Sequence, residues 1–85
     1  MEITHRFYYK DTDGSNYGIF YFIGGEMVTI WDDGSWSYED ALQPDAWRTG
    51  GWNPKNGHVD GEKSTPVAVQ EAVNEYTEHF NQVHA

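Results

Sequence analysis

The side chains able to do chemistry are few in kind: four His, fourteen Asp and Glu, four Ser and no Cys. The most suggestive spacing is Glu75 and His79, at i and i+4, which on a helix would offer two metal ligands from one face. A third ligand is not placed by sequence, the HExxH arrangement is absent, and a His near a helix C-terminus is already explained by the helix dipole. Asp11-x-Asp13-Gly14-Ser15-Asn16 begins like a calcium loop. Counting from Asp11, however, Gly14 stands at position 4, Asn16 at position 6 and Phe22 where a bidentate Glu is required. It reads as a hairpin turn. His5, His58 and His84 complete the histidines and add no ligand spacing. No metal and no cofactor is expected.

Covalent catalysis has little to work with. Ser15, Ser35, Ser37 and Ser64 fall in turn or cap contexts, none within GxSxG, and no thiol exists. The adjacent acids Asp32-Asp33 and Glu39-Asp40 sit at turn and loop positions where carboxylates are ordinarily solvated. The glycines never form a phosphate cradle ahead of a helix. The expectation is a protein without catalytic residues.

Two features remain, charge and aromaticity. Five Lys and Arg against fourteen Asp and Glu give a net charge of −9. That balance opposes direct contact with nucleic acid or an anionic membrane. Glu71, Glu75 and Glu78 fall at i, i+4 and i+7, with no Lys or Arg between residue 66 and the end to neutralise them. Solubility explains such a stripe, and so does a surface meant for a basic partner. Aromatic residues make up 16% of the chain, four of them Trp. Phe7, Phe20, Phe22, Tyr76 and Phe80 are assigned to the core. Trp47 and Trp52 bracket Arg48-Thr49-Gly50-Gly51, and Trp is a residue that anchors interfaces. Trp52 is expected to pack and Trp47 to be exposed beside Asp45 and Arg48. The partner-binding set is therefore Glu71, Glu75, Glu78, Trp47, Trp52, Arg48 and Asp45.

These residues need elements to hold them. Ile3–Lys10, Tyr17–Ile23, Glu26–Trp31 and Ser35–Tyr38 are apolar, aromatic and β-branched runs separated by turn formers. Gly24-Gly25 and Asp33-Gly34 are read as two-residue hairpin turns. Those turns pair Tyr21 with Val28, Ile19 with Ile30 and Trp31 with Trp36. Ile19, Tyr21, Ile23, Val28 and Ile30 then share an aliphatic face, and Phe20, Phe22, Met27, Trp31, Trp36 and Tyr38 an aromatic one. Val69, Ala72, Val73, Tyr76, Phe80 and Val83 recur at helical spacing, with Ser64-Thr65-Pro66 as the cap, and that stripe is matched to the aliphatic face. The stretch 39–63 reads as a loop folded back on the aromatic face, with a helical turn around Ala41, Leu42 and Ala46.

The expected fold is one α+β domain over 1–85: an antiparallel β-meander of three to four strands (1–38), the Trp-containing loop (39–63) and one C-terminal α-helix (64–84). With no apolar run of membrane-spanning length, no signal-like start and no cysteine, the cytoplasm is the expected compartment. The expected function is a small acidic, non-catalytic inhibitor or adaptor that docks on a basic protein surface, such as one built to bind nucleic acid. In length, acidity and lack of catalytic groups the chain is similar to small phage-encoded inhibitors such as anti-CRISPR proteins, a likeness of type that carries no residue across. The alternative is a module that stacks a sugar or another flat small molecule on its Trp-rich face.

Overall fold

The computed structural model describes residues 2–43, 45, 47–53, 55, 58–61 and 67–84. Six strands are followed by one helix: β1 (Ile3–Lys10), β2 (Asn16–Phe22), β3 (Met27–Trp31), β4 (Ser35–Glu39), β5 (Arg48–Asn53), β6 (His58–Asp60) and α1 (Val67–His84). The strands form a single sheet in the order β1-β2-β3-β4-β5-β6, every neighbouring pair antiparallel. The architecture is α+β, as expected, but the meander runs two strands further.

The three tight hairpins share one device. Gly14, Gly25 and Gly34 have φ of 92°, 90° and 88°. Each N–H donates to the carbonyl three residues back, of Asp11, Phe22 and Trp31. These are three-residue connections, a turn closed by a left-handed glycine, where two-residue turns were expected at Gly24-Gly25 and Asp33-Gly34. The consequence runs through the whole sheet, because one residue of slip exchanges the faces of a strand. Phe20 pairs with Val28, Gly18 with Ile30, and Ile30 with Trp36. The expected division into an aliphatic and an aromatic face is therefore wrong.

The covered face carries Phe20, Phe22, Val28, Ile30, Trp36 and Tyr38, all buried against Ala68, Val69, Ala72, Val73 and Tyr76 of the helix. Ile19 and Tyr21 lie on the other face, and Ile23 is exposed in its turn. Gly18 admits the helix: a Cβ there would stand 2.8 Å from Cδ2 of Tyr76. The capping residues 64–66 lie outside the described residues, as does the side chain of Val83.

Residues 39–63 contain β5 and β6 where a loop was expected. Between β4 and β5 the chain makes a turn at Asp40, whose carboxylate accepts from the N–H of Leu42, in place of the expected helical turn; Ala46 is outside the described residues. Gly50 and Gly61 lie against Trp36, which is 1% exposed; a Cβ on either would come within 2.6 Å of Cζ2 of its indole. The glycines that made this stretch look like a loop are what let β5, and the chain just past β6, lie against the largest core side chain. Among the described residues no helix is long and apolar enough to cross a membrane.

Candidate functional site: an open aromatic sheet face

One helix covers one face of this sheet, and alternation sends every second strand residue to the other. Three rows of register partners cross that open face. One runs His5, Tyr21, Met27 and Glu39. The next runs Phe7, Ile19, Thr29, Ser37 and Thr49. Tyr9, Tyr17 and Trp31 follow in the third. Phe7, Tyr9 and Tyr21 are 42%, 44% and 37% exposed, so Phe7 is not in the core as expected.

The β1–β2 half of the face is a ladder of rings. His5 stacks on Phe7 at 6.2 Å and Phe7 on Tyr9 at 6.5 Å. Tyr21 meets Phe7 edge-on at 5.9 Å, and Tyr9 stacks on Tyr17 at 5.2 Å. Such contacts are the preferred geometries of aromatic pairs and hold the rings in place before any ligand arrives.

The β3–β5 half is a groove of about 700 Å³ lined by Thr29, Trp31, Ser35, Ser37, Trp47 and Thr49, among others. Among the described residues its lining holds none with a charge. Ser37, 9% exposed, is buried in its floor. Ser35, in contrast, has its hydroxyl committed to Asp33, whose carboxylate also accepts from the Ser35 N–H. Asp13 holds Ser15 the same way, and in both turns these hydrogen bonds keep the carboxyl below its ordinary range.

The expected partner-binding set is divided by the sheet. Trp47 is 54% exposed at the open groove, whereas Trp52 packs against the core from the helix side. Asp45 is exposed two residues before Trp47. Arg48 is on β5, register partner of Tyr38, on the covered side. Glu71, Glu75 and Glu78 lie on the helix, across the sheet from Trp47, so one flat interface cannot engage both. Glu75 is also not uncompensated: Arg6 of β1 forms an ion pair with it. His79 stacks on Tyr8 at 3.7 Å, and among the described residues no group of three or more His, Asp or Glu could hold a metal ion.

Sequence reasoning missed Phe7, Tyr9 and Tyr21 as surface residues; half-buried Trp31 lines the groove on the side away from the helix, where the expected register also put it. Strand alternation placed each correctly relative to its neighbours, and only the turn length decided which set met the helix. Comparison of the chain with protein-family models, with curated proteins and with solved structures finds no match.

Proposed function

We propose that this chain is a small non-catalytic adaptor or inhibitor that docks a partner protein on its open sheet face. The observation that carries the reading is the uncovered aromatic surface, because exposed apolar patches on small proteins mark interaction sites. The ring ladder and Trp47 supply anchors that need little ordering on contact. The acids favour a partner whose contact surface has a basic rim. Asp11, Asp13, Asp32 and Asp33 sit in turns at one end of the strands; Glu39, the last residue of β4, and Asp40 and Asp45 beyond it lie at the other. Substitution separates anchoring from folding. Trp47→Ala should leave the melt nearly unchanged and weaken partner binding by about 2 kcal/mol or more. Trp52→Ala should destabilise the fold by about 3 kcal/mol. Calorimetry of each variant with the co-purifying partner checks both, and full-strength binding by Trp47→Ala would remove the open face from the interface.

A second reading has its own observation, the uncharged groove between Trp31 and Trp47 with hydroxyl-bearing Thr29, Ser37 and Thr49 along one register row. Indole walls and a hydroxyl floor suit a neutral sugar ring. Saturable quenching of Trp fluorescence by neutral oligosaccharides, abolished in Trp47→Ala, would favour it over a protein partner.

A further inference from the structure

Among the described residues β1 pairs on one side only, with β2, and forms an edge of the sheet. It is eight residues long and exposed from Thr4 to Lys10, whereas the opposite edge, β6, has three residues. Its backbone polarity can be worked out. The N–H of Asp11 donates to Ser15 and its carbonyl accepts from Gly14, so Asp11 turns its backbone groups inward. In an antiparallel ladder the direction alternates. Lys10, Tyr8 and Arg6 therefore turn their N–H and C=O groups outward, away from β2.

Protein edges are usually blunted by proline, bulges, short length or charge. From His5 to Lys10 the register is continuous, with neither Pro nor Gly. Two cations remain, and Arg6 is held by Glu75. The edge is thus open to strand addition, and its sequence selects the strand.

We propose that β1 pairs with β1 of a second copy, antiparallel, about a two-fold axis at Phe7. Three observations favour this occupant. In a chain of net charge −9, residues 3–10 contain no acid, whereas the other edge ends in Asp60. The β1 edge is therefore where two acidic copies approach with least repulsion. Register adds the second. Centring the pair on Arg6 sets Arg6 against itself, and centring it on Tyr8 sets Arg6 against Lys10. Centring on Phe7 sets Arg6 opposite Tyr8 and Lys10 opposite Thr4, and like charges directly opposite are what a ladder avoids. In that register the outward groups of Arg6 and Tyr8 meet as hydrogen-bonded pairs. The third is continuity. His5 falls opposite Tyr9 on the open face, and Phe7 opposite its own copy, so the ring ladder continues across the axis. This inference is independent of what the open face binds.

Light scattering of the full chain across concentration tests it. The expected mass rises to twice that of the 9.8 kDa chain, at lower concentration when salt screens the acids. Tyr8→Pro removes an outward N–H and leaves the β1–β2 bonds intact. Phe7→Lys places two cations at the axis. Each should hold the protein at monomer mass and folded, Tyr8→Pro with a lower melt because the ring that stacks on His79 is lost. If either variant fails to fold, hydrogen exchange in the unaltered chain decides, since the amides of Arg6, Tyr8 and Lys10 should gain protection as concentration rises. A monomer at every concentration would overturn the proposal, and so would a dimer that survives both substitutions or fast exchange of those three amides throughout.

Discussion

Tyr76 holds the helix to the sheet, its ring over Gly18 and 6.0 Å from that of Phe80, yet its hydroxyl is buried with no hydrogen-bond partner among the described residues. Burial first, and the negative charge of Asp32 second, push its pKa up to about 12. A phenol whose folded pKa lies above its ordinary 10.0 contributes stability that is complete below 10.0 and is lost as pH rises through about 12. Tyr76→Phe keeps the ring and removes both the stranded hydroxyl and the titration. The variant should be more stable at neutral pH by about 1 kcal/mol, since an unsatisfied buried hydroxyl costs that order of energy. It should also lose less stability than the parent between pH 10 and 12. Thermal melts across that range measure both effects, and a variant less stable at neutral pH would mean that the hydroxyl is bonded in solution. Trp36 poses the same question, with a buried indole N–H that also lacks a partner among the described residues.

At the scale of elements, the glycines divide into those that turn the chain and those that let it pass close. Gly50 and Gly51 are adjacent in β5 and make a matched pair. A Cβ on Gly50 would collide with the carbonyl of Asp60 and stand 2.6 Å from Cζ2 of Trp36, whereas one on Gly51 meets nothing within 4 Å. Gly50→Ala should therefore destabilise the domain by about 1–3 kcal/mol through overpacking. Gly51→Ala should fall within about 0.5 kcal/mol of the parent, and denaturant unfolding of the two variants is the comparison. The same glycines explain what the sequence could and could not disclose. The helix was legible because Val69, Ala72, Val73, Tyr76 and Phe80 repeat at one period. The first four strands were legible from their β-branched and aromatic runs. Pairing was not, because Gly24-Gly25 and Asp33-Gly34 fit both a two-residue turn and the tail of a three-residue one. That single ambiguity moved Ile19 and Tyr21 away from the helix, brought Phe20, Phe22, Trp36 and Tyr38 onto it, and hid the open face. In β5, Arg48-Thr49-Gly50-Gly51-Trp52-Asn53 has the composition of a loop, and only the bulk of Trp36 beneath it shows why a strand there needs glycine.

For the molecule as a whole, charge and aromatic surface are sorted onto different sides. Among the strand residues facing the open side, the acids are Glu39 and Asp60, and no Lys or Arg joins them. Most of the net charge of −9 therefore lies in the turns, in the loop before β5 and on the helix. A field of this shape acts mainly before contact: it draws a basic partner in and adds little once the apolar centre is seated. Association with the partner should slow as salt shortens the screening length to about 8 Å at physiological strength, while dissociation changes little. Distance then ranks the acids. Asp45, exposed two residues from Trp47 at the groove, stands closer to the docking surface than Glu71 and Glu78 on the helix side. Asp45→Asn should slow association by about two- to threefold at low salt, and the paired change Glu71→Gln with Glu78→Gln by less, although it removes twice the charge. Stopped-flow association at low and physiological salt measures the ranking. The opposite order would move the docking surface to the helix and return the acidic stripe to the interface in place of the open face.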